Sequence, residues 1–527
     1  MTAPIVLSDL IFHSAERAPE APALSFRQER LSYAELAEQI QKAAHGLLEL
    51  GLGRNERVAV YLPKRLETVI ALFAIARAGG VFVPVNPLLK PEQVAYILKD
   101  CNVRVLITAN DRANLLAPVL AECHDLHTVV TLDEDAIPGL PTRSVVWESL
   151  LKAPAHGVHR CIDTDMAAIL YTSGSTGKPK GVVLSHRNMI VGAQSVASYL
   201  GNGPHDRILA VLPLSFDAGF SQLTTAFWSG ASAVVMDYLL PRDVIRTAAR
   251  ETVTGLTAVP PLWVQLAQLE WPPEVVDNLR YLATTGGRMP GPTVATLRER
   301  LPKTQVFLMY GLTEAFRSTF LPPEEVERRP DSIGKAIPNA EIMVVREDGS
   351  PCAPGEPGEL VHRGSLVSLG YWNDPAKTAE RFKPAPGQPA GIVHPELAVW
   401  SGDTVRADED GFLYFVGRKD DMIKTSGYRV SPTEVEEVIY ASGLVAEAAA
   451  IGIAHRNLGE AVVAVVQPHD NQPVDTPALL NHCKQALPNF MVPMEVVSRE
   501  ALPRNPNGKI DRKRLVADYQ NLFEEHS

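Results

Sequence analysis

The chain has 527 residues, 46% of them hydrophobic and 21% charged, a composition typical of a soluble globular protein with more than one domain. Its net charge of -11 argues against nucleic acid or an anionic membrane as the main partner. The five cysteines include no C-x-x-C pair and the N-terminus has no basic, apolar leader, so we expect a cytoplasmic protein without a disulfide framework, zinc site or membrane span.

Strands and helices alternate in the predictions for the first hundred residues. One apolar stripe at helical spacing is formed by Leu36, Ile40, Ala44 and Leu47. Beyond it, the pattern predicts strands at 57–62, 81–85 and 103–107, with helices at 67–78 and from residue 91 onward. Because parallel strands need crossover helices, this order predicts an α/β fold whose parallel sheets are covered by helices.

A stretch rich in glycine, hydroxyl and lysine residues follows at 171–181, between apolar runs at 167–170 and 182–184. Glycines allow backbone N–H groups to approach an anion, and hydroxyls and lysines add donors and positive charge. The stretch is not a Walker A loop, because Pro179 stands five residues after Gly174. A flexible linker is the alternative. Lys178 and Lys180 between two apolar strands favour phosphate binding.

A second motif at 307–315 combines an aromatic ring, a hydroxyl and a carboxylate after an apolar strand. Tyr310 can stack on adenine, Thr313 can donate to phosphate, and Glu314 can hold a Mg²⁺ ion that bridges phosphates. Taken alone, the same pattern fits a strand end with a helix cap. Its presence in one chain with the loop at 171–181 favours a nucleotide site.

These two motifs resemble those of the adenylate-forming superfamily, which comprises acyl-CoA synthetases, carrier-protein adenylation domains and luciferases. The resemblance covers almost the whole chain, with five motifs in the family's order. At a finer level, residues 216–223 and 310–320 are similar to AMP-forming ligases associated with exosortase A clusters. The implied fold has a large N-terminal domain of stacked, mostly parallel sheets with helices at 1–419 and a small α+β C-terminal domain at 420–527, with Asp420 as the hinge.

The resemblance also implies the cofactors ATP and Mg²⁺ and a set of functional positions. Glu314 is the implied metal ligand. The implied catalytic residues are Lys509, Glu314, Thr172 and Lys424. The implied nucleotide contacts are Thr172, Ser173, Gly174, Ser175, Thr176, Gly177, Lys180, Gly287, Arg288, Tyr310, Gly311, Thr313, Asp403 and Arg418.

The acid substrate is assigned to Phe216, Asp217, Gly286 and Gly311. Many aryl- and acyl-CoA ligases have His where Phe216-Asp217 stands, whereas carrier-protein adenylation domains have Phe-Asp and use the Asp to bind a substrate ammonium. We therefore favour an amino acid for this chain, since a carboxylate facing an ammonium gives a charge-assisted contact. The alternative is that Asp217 is a helix N-cap. Arg288 departs from the acidic or small residue expected there, and its charge either meets a second carboxylate or faces solvent.

The implied reaction is AMP-forming activation of a carboxylic acid, followed by transfer to the pantetheine thiol of CoA or a carrier protein. Lys509 would contact both the substrate carboxylate and the α-phosphate, and Lys424 would serve the thioester step after rotation at Asp420. Three alternatives remain: a fatty or aryl acid–CoA ligase in which Asp217 is structural, a luciferase-like oxygenase, and a nucleotide sensor without catalytic activity.

Overall fold

The computed structural model describes residues 3–133, 137, 139–172, 179–389, 391–418, 421–425, 428–455, 458–469, 472–487, 489–505 and 508–523. The chain divides into two units, one of Met1–Ile342 with His362–Val399 and one of Met343–Val361 with Trp400–Ser527. The domain boundary expected at 419/420 stays a prediction, since residues 419 and 420 lie outside the described ones.

The described strands are β1 (Pro22–Phe26), β2 (Glu29–Ser32), β3 (Arg57–Tyr61), β4 (Val81–Pro84), β5 (Val103–Thr108), β6 (Thr128–Thr131), β7 (Arg143–Val146), β8 (Met166–Thr172), β9 (Lys180–Ser185), β10 (Arg207–Ala210), β11 (Ser232–Val235), β12 (Gly255–Ala258), β13 (Tyr281–Thr284), β14 (Gln305–Tyr310), β15 (Thr319–Leu321), β16 (Ser332–Ala336), β17 (Ala340–Val345), β18 (Gly358–Gly364), β19 (Gly370–Tyr371), β20 (Phe382–Pro384), β21 (Leu397–Ala407), β22 (Leu413–Arg418), β23 (Ile423–Thr425), β24 (Tyr428–Val430), β25 (Glu447–His455), β26 (Gly459–Gln467) and β27 (Glu495–Ser498).

The described helices are α1 (Asp9–Arg17), α2 (Tyr33–Glu49), α3 (Leu66–Arg77), α4 (Pro91–Asp100), α5 (Asn110–Leu120), α6 (Trp147–Leu150), α7 (His186–Leu200), α8 (Asp217–Ser229), α9 (Pro241–Arg250), α10 (Pro260–Ala267), α11 (Pro273–Asn278), α12 (Gly291–Arg300), α13 (Pro375–Arg381), α14 (Pro432–Ala441), α15 (Thr476–Ala486) and α16 (Arg512–Tyr519). The strands and helices predicted for residues 33–107 are confirmed.

The start of α2 shows how local sequence fixes an element. Ser32 and Glu35 form a capping box: the Ser32 Oγ accepts from the Glu35 N–H at 3.3 Å, and the Glu35 carboxylate accepts from the Ser32 N–H at 2.8 Å. Leu36, Ile40 and Leu47 are fully buried, in agreement with the predicted stripe. Burying this stripe holds the helix in place, since most of a helix's stability in a protein comes from packing its apolar face.

Two sheets with helices between and around them make up most of the first unit. One sheet has the order β2-β1-β11-β10-β12-β13-β14-β15-β16 and is parallel from β1 to β14. The other has the order β19-β9-β8-β4-β3-β5-β6-β7, in which β9 is antiparallel to its two neighbours. Because β12, β13 and β14 are adjacent and parallel, the turns that follow them lie at one edge, where ligands bind in open α/β sheets.

A buried lysine joins the ends of strands from the two sheets. Lys64, three residues after β3, has a side chain only 6% exposed, and its Nζ donates to the carbonyl oxygens of Ala210, Val211 and Met236 at 3.1, 2.7 and 2.7 Å. Burial lowers the pKa of Lys64 to about 8. The ammonium is therefore charged at pH 7 and satisfies three carbonyls at once.

Replacing Lys64 with methionine should lower the free energy of unfolding by about 2 kcal/mol, because three buried carbonyls lose their donor. Urea unfolding of the two proteins measures the difference. Lys42→Met, at a position 51% exposed and paired with Glu38, is the control and should change stability by less than about 0.5 kcal/mol. A Lys64→Met protein as stable as the control would contradict the assigned role.

The second unit contains a smaller sheet covered by helices on both faces. The strand order is β24-β23-β26-β25, with β27 parallel to β26. Helices α14 and α15 contribute Val435, Ile439 and Leu479 to one core, and α16 contributes Leu515 to the other. The expected small α+β region is thus present. In the described part of the chain, no helix combines the length and apolarity needed to cross a membrane.

Candidate active site

The stem of the predicted phosphate loop is a pair of antiparallel strands, β8 and β9. Thr172 and Lys180 are partners across the pair, at the end of the stem next to the loop. The Tyr171 hydroxyl donates to Asp100 Oδ2 at 2.5 Å, which ties the stem to α4. The loop residues predicted to bind phosphate lie outside the described residues: Ser173, Gly174, Ser175, Thr176 and Gly177.

Glu314 lies beside this stem, in a single 3-10 turn, Thr313–Ala315, that follows β14. The Tyr371 hydroxyl donates to Glu314 Oε1 at 2.6 Å. Lys180 Nζ lies 5.3 Å from the centroid of the same tyrosine ring, and burial, with the cations of Lys377 and Arg381, lowers the lysine's pKa. Tyr371 therefore brings the base of the phosphate loop and the predicted magnesium ligand to one corner of the site.

This corner has the chemistry expected for Mg²⁺-ATP. Magnesium is commonly held by one or two carboxylates together with substrate phosphates and water, so the single carboxylate of Glu314 suffices. Tyr371 holds one of its oxygens, and in the described part of the chain the other, Oε2, makes no hydrogen bond. A cation beside it, Lys180, suits phosphate oxygens.

Asp217 is paired with an arginine that the sequence analysis did not single out. Arg317 Nη1 donates to Asp217 Oδ2 at 2.7 Å, and the two side chains are 3% and 17% exposed. Thr313 Oγ1 also lies 3.4 Å from Asp217 Oδ1. The carboxylate is not an N-cap, because Phe216 occupies the cap position and Asp217 is the first residue of α8. The N-cap alternative is therefore wrong.

A strained turn delivers Arg317 to this position. Phe316 has φ +57° and ψ -51°, a conformation that costs free energy for a residue with a side chain. Its ring is fully buried against α7, where a Cβ on Gly192 would lie 2.4 Å from it. Ser318, next in the chain, shares a 2.9 Å hydrogen bond with His362, a histidine kept neutral because burial lowers its pKa to about 3. Packing on both sides thus holds the turn.

Gly286 and Gly287, which the resemblance implies as substrate and nucleotide contacts, lie in the turn that follows β13. Gly286 has φ +81°, which favours glycine, and a Cβ on Gly287 would lie 3.4 Å from Pro260. Arg288 forms an ion pair with Asp331. Of the two possibilities left open for the Arg288 charge, the structure shows pairing with a carboxylate. That carboxylate belongs to Asp331, whose side chain is 61% exposed.

Several other predicted residues lie in the second unit. Asp403 and Arg418 are partners across β21 and β22, and Arg418 Nε lies 3.1 Å from Asp403 Oδ1. These two implied nucleotide contacts thus form a pair with each other. Lys509 closes a turn in which its N–H donates to Asn505 Oδ1 at 3.1 Å and its carbonyl accepts from the Asn505 N–H at 2.8 Å. Lys424 is in β23, while the predicted hinge residue, Asp420, falls outside the described ones.

Two family models match the chain in the same order as these motifs. The model of the AMP-binding enzyme covers residues 11–372, and that of the AMP-binding enzyme C-terminal domain covers residues 434–509. The first match alone spans more than half of the chain. The chain belongs to the AMP-binding enzyme family. The predicted superfamily, fold and enzyme class are thereby confirmed.

Curated members of the AMP-binding family include both kinds of relative that the sequence suggested. Tyrocidine synthase 2 of Brevibacillus parabrevis is 34% identical over 525 residues, which cover 97% of this chain. The chain spans only 13% of that protein's length. The long-chain-fatty-acid–CoA ligase of Salmonella typhimurium is 31% identical over 541 residues, covering 97% of this chain and 94% of the ligase.

Solved structures of the AMP-binding family share the fold. ATP-bound MatB from Rhodopseudomonas palustris matches with a TM-score of 0.86 and 26% identity over 98% of this chain and 99% of that one. O-succinylbenzoate coenzyme A synthetase (MenE) from Bacillus subtilis, solved with ATP and magnesium, matches with a TM-score of 0.81 and 26% identity over 96% of this chain and 98% of that one. ATP and magnesium are thus ligands found in this family.

Sequence reasoning missed two residues of the candidate site, Arg317 and Tyr371. Arg317 stands only three positions after Glu314, and Tyr371 follows Gly370 in a Gly-Tyr-Trp stretch. Their residue types were visible, but their partners were not. Arg317 reaches Asp217 across 100 residues of sequence and Tyr371 reaches Glu314 across 57. Only the fold brings these pairs together.

Tyr371→Phe should raise the Mg²⁺ concentration needed for half-maximal adenylation by about 10-fold, because the variant loses the hydrogen bond that orients Glu314. A magnesium titration of pyrophosphate exchange measures this shift separately from the maximal rate. Tyr440→Phe is the control, since Tyr440 in the second unit bonds the Ala448 carbonyl at 3.3 Å. Equal magnesium dependence in the two variants would show that Tyr371 does not position Glu314.

Proposed function

We propose that the chain uses ATP to convert a carboxylic acid to an acyl-adenylate and passes the acyl group to a pantetheine thiol. The observation that supports this most is the grouping of Lys180, Glu314 and Tyr371 beside the base of the phosphate loop. The family match over residues 11–372 supports the same chemistry. In both half-reactions, the proposed residues act through their charges and hydrogen-bond donors.

In the first half-reaction, a substrate carboxylate oxygen attacks the α-phosphorus of ATP. The bond from that phosphorus to the bridging oxygen breaks, and pyrophosphate leaves with the electron pair. The reaction needs no protein nucleophile, so the residues act by positioning and by neutralising charge. Lys180, Thr313 and Lys509 would donate to phosphate oxygens. A Mg²⁺ ion, held by Glu314, would neutralise phosphate charge.

In the second half-reaction, the sulfur of a pantetheine thiol, as its thiolate, attacks the acyl carbonyl. A carbon–sulfur bond forms, the carbon–oxygen bond to AMP breaks, and AMP leaves with the electron pair. Lys424 and its neighbours would serve this step after rotation of the C-terminal region about Asp420. CoA and a phosphopantetheinyl carrier protein are the two candidate acceptors, in line with the ligases and peptide synthetases that the chain resembles.

For the acid, the Phe216-Asp217 pair supports an amino acid, with the ammonium beside Asp217. Arg317 already neutralises that carboxylate, so an ammonium alone would stand next to a buried guanidinium. An amino acid therefore fits this site better if it also carries an anionic group.

Pyrophosphate exchange tests the proposed activity. The purified protein is incubated with ATP, Mg²⁺, labelled pyrophosphate and panels of amino acids, dicarboxylic acids, straight-chain acids and aryl acids. Label entering ATP only when one class of acid is present is the expected result. CoA and a pantetheinylated carrier protein are then offered as acceptors. No exchange with any acid would overturn the proposal, and oxygen uptake driven by the adenylate would favour the luciferase-like alternative.

A further inference from the structure

A small mixed cavity lies directly behind the Asp217–Arg317 pair. Residues of α7 and α8 and of the parallel strands β10, β12, β13 and β14 line it, together with Arg317. Its walls are apolar at Val196, Leu200 and Met309 and polar at Thr225. The free volume is about 10 Å³, close to one water-sized sphere. Any group larger than one water would have to displace side chains here, a small polar end fewer of them than a long acyl chain.

Arg317 is charged and buried, and not all of its N–H donors are hydrogen-bonded. Its two recorded hydrogen bonds, to Asp217 and to the Phe316 carbonyl, are both 2.7 Å long and both start from Nη1. Nε is buried and has no partner among the described residues. A guanidinium has five N–H donors and forms its strongest contacts with two parallel bonds to a carboxylate. The Asp217 contact uses one nitrogen, so Arg317 can still form two parallel bonds with another carboxylate.

A second donor in the same cavity is also unused. The Thr225 hydroxyl is buried and makes no hydrogen bond within the described part of the chain. Leaving buried polar groups unpaired costs free energy, so native structures retain few of them without a functional reason. Arg317 and Thr225 thus supply a cation and a hydroxyl around one small space.

The cavity is also connected to the predicted reaction centre. Arg317 bonds Asp217, and Asp217 Oδ1 lies 3.4 Å from Oγ1 of Thr313, the residue predicted to meet phosphate. In an acid bound with its reacting carboxylate near Thr313, a far end that reaches past Asp217 would meet Arg317. A carboxylate at that end would accept two parallel, charge-assisted bonds from Arg317, whereas an amide offers one neutral acceptor oxygen and an apolar end offers none.

We propose that the substrate of this enzyme is a short acid whose non-reacting end carries a second carboxylate. Arg317 binds this second carboxylate, with Thr225 lining the same space. If the substrate also has an amino group, the ammonium lies beside Asp217, so that an acidic amino acid satisfies both members of the ion pair. A dicarboxylic acid without an amine uses Arg317 alone. The inference deepens the proposed function and rests on it.

Matched acids test this substrate class in the pyrophosphate exchange assay. Glutarate is compared with its monoamide, and glutamate with glutamine, since each pair differs only by a charged or neutral far end. We expect kcat/KM for the better dicarboxylate to exceed that of its amide by about 100-fold, as for the loss of a hydrogen bond to a charged group. Comparing glutarate with glutamate shows whether the substrate is a dicarboxylic acid without an amine or an acidic amino acid.

The double variant Asp217→Asn/Arg317→Met removes both charges without leaving one of them unpaired, and it should lower the acid-to-amide ratio at least tenfold. Arg317→Lys, which keeps the charge but loses the planar fork, should retain an intermediate ratio. An amide used as well as its acid by the wild-type protein would overturn the inference while leaving the proposed adenylation intact. Exchange with no acid at all would overturn both. The wild-type comparison decides the question even if a variant does not fold.

Discussion

Lys509→Ala is expected to slow pyrophosphate exchange by about 10²- to 10³-fold, the usual loss when one donor to developing charge is removed. The turn at Asn505 and Lys509 holds the backbone through two hydrogen bonds, and neither uses the lysine side chain. The substitution should therefore remove the ammonium and leave the turn intact. Because the lysine is proposed to act only in adenylation, transfer of a preformed acyl-adenylate to the thiol should be nearly unchanged.

Exchange rates and single-turnover transfer from synthetic acyl-adenylate separate these two steps. Lys484→Ala is the matched control, since Lys484 is an exposed lysine at the end of α15 in the same unit. It should affect neither step. If Lys509→Ala slowed transfer as much as exchange, the lysine would not be specific to adenylation. If the exchange rate of Lys509→Ala equalled that of the control, Lys509 would have no catalytic role.

Asp217→Asn should lower the free energy of unfolding by about 3 kcal/mol, because it leaves the guanidinium of Arg317 buried without its counter-charge. Arg317 is 3% exposed, so solvent compensates little. The double variant Asp217→Asn/Arg317→Met should be more stable than Asp217→Asn alone, since replacing a whole buried ion pair with neutral groups is often tolerated. Urea unfolding of the wild type, both single variants and the double variant gives the coupling free energy.

The control for this cycle is Asp277→Asn, which breaks an ion pair with Lys303 between side chains 64% and 69% exposed. Exposed pairs contribute about 0–1 kcal/mol, so the control should lose less than Asp217→Asn. A loss at Asp217 no larger than at Asp277, or a double variant as unstable as the sum of the single ones, would show that the two charges are not coupled.

Features that depend on interactions between residues close together in the chain were predictable from the sequence. Ser32 and Glu35 cap α2 with atoms three residues apart, and Gly286 supplies the positive φ that its turn needs. The strand at Gln305–Tyr310 and the turn after it follow from an apolar run ending in glycine. Such features depend on neighbouring residues, so composition and periodicity were sufficient to predict them.

The partners of charged side chains were not predictable in the same way. Asp217 was interpreted as a cap or an ammonium ligand, and Arg288 as paired or solvated. The fold placed Arg317 against Asp217 and Asp331 against Arg288. Ion pairing depends on which chain segments meet, and residues 100 apart meet only after the parallel sheet and α8 have packed.

By itself, the sequence determined the family, the α/β architecture and the residue types at the nucleotide site, because glycine turns, apolar strands and the phosphate-binding composition are written in contiguous stretches. The tertiary structure decided how those residues are combined. It placed Tyr371 against Glu314, Lys64 against three carbonyls at the ends of β10 and β11, and Arg317 against Asp217 at the cavity. The physical reason is that a buried charge takes its partner from whichever segment the packed core brings within hydrogen-bond distance, and spacing along the chain does not record that distance.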